Sequence, residues 1–268
     1  MNPVSRPLLR RSRHAARTGL AVSVAAAALT AALPLTASTA DASTAPKAPA
    51  AKVVHPCGLP WTNATIPGWG LFPRNQKTGY YVYVNPTKKS KKIFHVVDPA
   101  KDGASGVMLG FDSSITKVTG WFKVVVPNRN NKTWGWAKQT DLAGYKINQW
   151  LEINTASHKM AYVKGTQCIK VFPVAVGKPS TPTPKGLFFI NDRLAAPNLA
   201  YGHHILGTSA YSPAFVTFGG LDAAIGIHGT NEDDSVGHPV SHGCVRMHIG
   251  DSDWLYPRIK LGTPVFIS

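Results

Sequence analysis

The chain has 268 residues, 44% hydrophobic and 16% charged, with 24 Gly, 21 Pro, 3 Cys and a formal net charge of +16. That is too apolar for a disordered chain and too poor in cysteine for a disulfide scaffold, and the Gly and Pro content favours short strands joined by turns over a helical bundle. Five of the 29 basic and one of the 13 acidic side chains fall in residues 1–42, so the remainder still carries +12; that charge suits an anionic envelope polymer better than nucleic acid, since no helix with a dense Lys/Arg face and no nucleic-acid motif occurs.

Residues 1–42 read as an export signal. Arg6, Arg10, Arg11, Arg13 and Arg17 form a basic start, Gly19 to Leu33 is apolar and uncharged, Pro34 ends it, and Ala40-Asp41-Ala42 offers a small-x-small cleavage site. The competing reading, a retained anchor, needs roughly 20 spanning residues, more than this Ala-rich stretch supplies. Residues 43–77 open with an Ala/Pro/Lys/Thr run that has nothing to bury and are assigned to a flexible or extended linker. Strand signals then recur at Tyr80 to Val84, Ile93 to Val97, Val107 to Phe111, Trp121 to Val126 and Thr133 to Ala137, each bounded by turn residues. They predict a small antiparallel barrel over residues 78–145. Gly120 to Pro127 followed by Gly135-Trp136-Ala137 resembles the end of a bacterial SH3-like module, for wall binding or for bracing its neighbour, with its aromatics read as core. Lys88, Lys89, Lys91 and Lys92 form the one tight basic cluster, read as a solvated turn.

Residues 146–268 make a second block. Trp150 to Ile153, Met160 to Val163 and Ile169 to Val176 predict a β-meander; Lys178 to Pro184 carries three prolines and is kept out of any sheet; Leu187 to Ile190 resumes a strand. Residues 191–214 lack periodicity and are read as an excursion over a cleft, with His203 and His204 lining or covering it. Ala224 to His228 predicts a strand delivering its histidine, Asp251 an N-cap for one short helix reaching Leu255 to Ile259, and Val265 to Ile267 a closing strand.

In an oxidising compartment one of Cys57, Cys168 and Cys244 is left over, and the odd one is expected to carry chemistry. A Cys57–Cys168 bridge and an inert buried Cys168 both remain open, because spacing does not fix connectivity. Ser241-His242-Gly243-Cys244-Val245-Arg246-Met247 is the most informative segment. A thiol is a useful nucleophile as thiolate, which needs a base and some access. Gly243 permits a tight turn that exposes the sulfur and turns backbone N–H groups toward an oxyanion. His228, sixteen residues upstream at the end of an apolar strand, is the expected base, holding the thiolate as an ion pair. His242 is the rival; the turn at Gly243 argues against it.

Ile227-His228-Gly229-Thr230 and Ser241 to Met247 together resemble the signature of the L,D-transpeptidase (YkuD-like) catalytic domain, and Val174 to Gly177, Thr181 to Gly186 and Gly262 to Val265 resemble its recurring segments. The resemblance implies a mainly β protein, an SH3-like small barrel followed by a β-sandwich catalytic domain with one or two short helices. It implies an exported enzyme, without cofactor or metal, that attacks a peptidoglycan tetrapeptide stem after its third residue, releases D-alanine and passes the acyl group to an acceptor amine as a 3→3 cross-link. Carbapenems are implied inhibitors. Cys244 then matches the nucleophile and His228 the proton carrier. The Gly243 and Cys244 amides match the oxyanion hole, with His242 and Ser241 in support. Arg246, Gly229, Thr230 and His204 are expected at the substrate, Arg246 alternatively pairing with Asp251 or Asp253. The alternatives are an L,D-carboxypeptidase, a non-catalytic wall-binding protein, and a zinc enzyme built on histidines 203, 204, 228, 238, 242 and 248 with Cys244, for which no H-E-x-x-H or C-x-x-C is present.

Overall fold

A computed structural model describes Cys57 and residues 68–97, 106–218 and 221–268. The expected export signal lies outside the described residues, as does most of the expected linker. The first sheet comprises β1 (Gly68–Pro73), β2 (Tyr80–Tyr83), β3 (Lys92–Val96), β4 (Met108–Phe111), β5 (Trp121–Val125), β6 (Trp134–Lys138) and β7 (Leu142–Ile147), in the order β3-β2-β6-β5-β4-β1-β7 with every pairing antiparallel. A one-turn helix, α1 (Ser113–Thr116), links β4 to β5 and is capped by Asp112, whose carboxylate accepts from the Ser114 amide. Strand alternation buries Leu71, Val82, Leu109, Phe122, Val124 and Ala137 on one face. The linker assignment fails over residues 68–73: β1 is a strand, paired along its whole length with β7. Gly68 and Gly70 sit where neighbouring side chains leave no room for a Cβ.

The second sheet is built from β8 (Gln149–Asn154), β9 (Lys159–Lys164), β10 (Gln167–Pro173), β12 (Gly186–Ala195), β13 (His204–Tyr211), β16 (Ala224–Thr230), β18 (Val245–His248) and β19 (Pro264–Ile267), in the order β10-β9-β8-β19-β12-β13-β16-β18. β11 (Val176–Gly177) with β17 (Pro239–Ser241) and β14 (Thr217–Phe218) with β15 (Leu221–Asp222) form two separate short sheets. β12 belongs to both halves: residues 186–189 pair with β19, and residues from 190 pair with β13 after a register shift. The sheet therefore bends at β12, and its halves enclose one core in which Leu151, Ile153 and Met160 meet Ile225, Ile227 and Val245.

Residues 191–214 are not an excursion. β12 continues to Ala195 and β13 occupies His204–Tyr211. Periodicity hides β13 because its buried residues include hydroxyls: Thr208 donates to the Ile225 carbonyl at 2.6 Å, and the Ser209 hydroxyl accepts from the Phe189 amide at 3.1 Å. The helix also starts earlier than Asp251. It is α2 (Ile249–Leu255), with His248 at the N-cap position and Asp251 inside the first turn, bound by Lys170 at 2.7 Å.

Cys57 and Cys168 form a disulfide, Cα atoms 5.1 Å apart, across a sequence separation of 111. It ties the segment preceding β1 to β10, the end strand of the second sheet, and Cys57 packs against the Trp150, Val163 and Phe266 cluster. Closing so long a loop removes much freedom from the unfolded chain, so Cys57→Ser is expected to lower unfolding free energy by about 2–5 kcal/mol, read from urea midpoints.

Candidate active site

β16 and β18 run parallel, with Ile227 opposite Val245 and His228 opposite Arg246. Ile227 and Val245 face the core. Alternation turns Gly226 and His228 to the other face, where the cavity lies. Cys244 directly precedes β18, beside Gly226, whose amide donates to its sulfur at 3.4 Å. Gly226 has no side chain to stand between thiol and imidazole; a Cβ there would lie 3.8 Å from His228 Cδ2, the carbon bonded to Nε2. A cavity of about 480 Å³ is lined by Cys244, His228, His242 and Gly226 together with Tyr201 and Phe215. The structure thus brings both candidate bases to the sulfur's cavity and holds one of them on a strand.

The His228 ring is 2% exposed, and its Nδ1 lies 2.6 Å from the Gly229 carbonyl. A carbonyl only accepts, so Nδ1 carries the proton and the lone pair is on Nε2. This answers which group orients His228: the backbone carbonyl of the next residue. Burial lowers the imidazole pKa to about 4, against a smaller opposing pull from the Gly229 hydrogen bond, with the Arg246 charge adding to the depression. Burial likewise raises the Cys244 thiol, opposed by the Gly226 amide and by Arg246. At neutral pH the resting pair is therefore thiol and neutral imidazole. This departs from the expected thiolate–imidazolium ion pair, because burial disfavours the charged form of each group.

The turn before the cysteine is braced on all sides. Gly243 has φ +123°, a conformation that excludes other residues, and a Cβ would crowd Ile225 at 3.0 Å. Ser241 Oγ accepts from the Gly243 amide at 3.0 Å and donates to the Cys244 carbonyl at 2.6 Å. That supports the bracing role of Ser241 and corrects the oxyanion assignment, since the Gly243 amide is already engaged. Thr181 Oγ1 donates to the Ser241 carbonyl at 3.0 Å and Thr183 Oγ1 to the Gly243 carbonyl at 2.8 Å. The Pro-rich loop stays out of the sheets, as its sequence predicts, yet two of its hydroxyls clamp the turn that carries the nucleophile. Their alternation with prolines was the available signal.

The four residues expected at the substrate each have partners within the protein. Arg246 pairs with Glu232 at 2.7 Å rather than with Asp251 or Asp253. Gly229 packs against Gly202, where a Cβ on Gly202 would come within 2.7 Å of the Gly229 Cα, so its bare backbone is a packing requirement. Thr230 is buried and its hydroxyl accepts from the Glu232 amide at 3.1 Å. His204 stacks on Tyr256 at 4.1 Å and His203 pairs with Asp253 at 2.9 Å, so both turn toward α2 instead of covering the cleft. His248 pairs with Asp233 at 3.0 Å. Sequence reading missed Tyr201, whose ring lies 4.9 Å from that of His228 and shields it from water. His242 is exposed, its ring 6.1 Å from Phe215.

The wall carrying Phe215 is held by the first sheet. Arg129, in the β5–β6 loop, donates to the Phe215 carbonyl at 3.2 Å, to the Val216 carbonyl, and to Asp222 at 2.6 Å. Asn131 makes a reciprocal pair with the Tyr211 backbone at 2.7 and 2.9 Å.

The YkuD family model, described as the L,D-transpeptidase catalytic domain, matches residues 148–267. YqjB of Bacillus subtilis (strain 168) is 35% identical over 123 residues, 43% of this chain and 69% of its own length; YkuD of the same strain is 32% identical over 124 residues, 46% and 68%. The names of both class them as L,D-transpeptidases. Among solved structures, an L,D-transpeptidase from Mycobacterium smegmatis overlaps 60% of this chain and 89% of its own at TM-score 0.37 and 14% identity. The region holding β8 to β19 places this chain in the YkuD family of L,D-transpeptidases, enzymes of cell-wall transpeptidation.

Proposed function

We propose that the chain is an exported cysteine acyltransferase that makes 3→3 peptidoglycan cross-links. His228 Nε2 takes the Cys244 proton as sulfur attacks the carbonyl of the donor stem's third residue. The oxyanion meets the Cys244 amide. Collapse expels D-alanine, protonated by His228, and leaves a thioester. An acceptor side-chain amine, deprotonated by the same imidazole, attacks the thioester and returns the proton to sulfur. Carbapenems would acylate the same thiol by opening their lactam. The observation that carries this reading is the Nδ1 hydrogen bond to Gly229, which leaves Nε2 basic on the face it shares with Gly226 and the sulfur. Apolar walls from Leu194, Pro197, Ile205 and Phe215 favour an amine over water at the thioester. The disulfide supports export, since such bonds persist outside the reducing cytosol.

Incubation with a disaccharide tetrapeptide, read by mass spectrometry, tests the proposal. A cross-linked dimer is the expected product; tripeptide alone would make the enzyme a carboxypeptidase, and unchanged substrate would leave a binding protein. In the same assay Arg129→Ala is expected to raise KM on the order of 10-fold with kcat nearly unchanged, because the Phe215 wall loses its anchor while sulfur and imidazole do not.

A further inference from the structure

The face of the first sheet turned away from its core is neither polar nor plain. β2, β5 and β6 send Val82, Phe122 and Ala137 inward. On the opposite face stand Tyr81, Tyr83, Trp121, Trp134 and Trp136, all at least partly exposed. The register clusters them, with Trp136 opposite both Tyr83 and Lys123, and Trp121 opposite Lys138. Three of the seven tryptophans thus share one solvent-facing patch, with Trp134 39% and Tyr81 38% exposed, although rings of this size are ordinarily well buried. Of the aromatics expected as core, Phe122 is buried, whereas Trp121 and Trp136 face outward.

Charge is built into the same patch. Lys92 Nζ sits 3.8 Å above the Tyr81 ring, and Lys123 Nζ lies 5.3 and 6.0 Å from the rings of Trp134 and Trp136. Lys138 stands opposite Trp121 on this face, and Lys88, Lys89, Lys91 and Lys92 lie at the sheet's end, so the rings are flanked by ammonium groups that attract an anion.

We propose that this face binds an anionic polysaccharide. Sugar rings present flat C–H faces that stack on exposed indole rings, while carboxylate or phosphate substituents meet Lys123, Lys138 and the basic run at the sheet's end; Tyr81, stacked on His95 at 4.2 Å, helps hold Lys92 in place. Rings and ammonium groups on a sheet also suit the bases of a single-stranded nucleic acid. The disulfide, which belongs to an oxidising compartment, and the wall chemistry proposed above favour the glycan, and to that extent the inference rests on that reading.

The test is co-sedimentation of the full chain with bacterial sacculi that retain their anionic polymers, with sacculi stripped of them by hydrofluoric acid, and with oligo(dT) as a competing probe. Cys244→Ala is included so that binding is read apart from turnover, and it should sediment like the parent. The expected result is strong, salt-sensitive binding to intact sacculi and weak binding to stripped ones. Trp134→Ala with Trp136→Ala should weaken it on the order of 10-fold or more, and Lys123→Gln with Lys138→Gln should flatten its salt dependence. Imipenem acylation of Cys244 and far-UV circular dichroism report whether each variant is folded; the lysine pair stands in if the tryptophan pair is not. Equal binding to both kinds of sacculi, full binding by folded variants, or displacement by oligo(dT) would each overturn the assignment, whatever the tetrapeptide assay shows.

Discussion

Cys244→Ala is expected to abolish D-alanine release from the tetrapeptide, a loss of at least ~10⁴-fold, together with the imipenem adduct in the intact mass spectrum. In the proposed mechanism the sulfur is the atom that bonds to substrate, and the neighbouring imidazoles have no nucleophile to activate once it is gone. The fold should survive. Sγ accepts one long hydrogen bond from Gly226, and Cys244 is half-buried at the mouth of a cavity rather than packed in the core, so the melting temperature should move by only a few degrees. The wild-type thiol carries its own signature. Burial holds its pKa above the usual thiol range, so iodoacetamide should modify it more slowly at pH 7 than an exposed cysteine and faster as pH climbs. Turnover above about one part in a hundred in the alanine variant would remove cysteine from the chemistry.

Both motifs that hold the pair were legible because each needs particular residue types close together: a glycine before the cysteine, a histidine ending an apolar strand. What joins them was not. β16 and β18 are parallel neighbours across a fourteen-residue connection, and their register is decided by the buried faces of Ile227 and Val245, which alternation alone cannot align. Arg246 shows the same limit, because Glu232, Asp251 and Asp253 are equally eligible partners until the chain is folded. In the first sheet the strands carrying Val, Tyr and Phe announced themselves, whereas β1 with its glycines did not, and outward-facing tryptophans looked like core since size and apolarity argue for burial whichever face they occupy. The charge state of the pair depends on desolvation, a property of the assembled cavity, so sequence spacing pointed to an ion pair that the folded site does not solvate.

His228→Gln should lower kcat/KM for the tetrapeptide by about 10²–10⁴-fold, because the amide can still donate to the Gly229 carbonyl but has no basic nitrogen to offer the thiol. The pH profile distinguishes loss of a base from a structural lesion. With the folded imidazole at about pKa 4, wild-type kcat/KM should fall only as pH drops toward 4, where a solvated histidine would lose activity near 6.5. The same shift acts on stability. The unfolded chain binds a proton at His228 between pH 6.5 and 4 that the folded chain refuses, so stability is full above 6.5 and declines through that window, by about 3 kcal/mol at its lower end. The glutamine variant lacks this proton, and its urea midpoint should fall less than the parent's between pH 7 and pH 4.5. An acid limb that stays near 6.5, with turnover in the variant close to that of the parent, would move the base from the strand to His242.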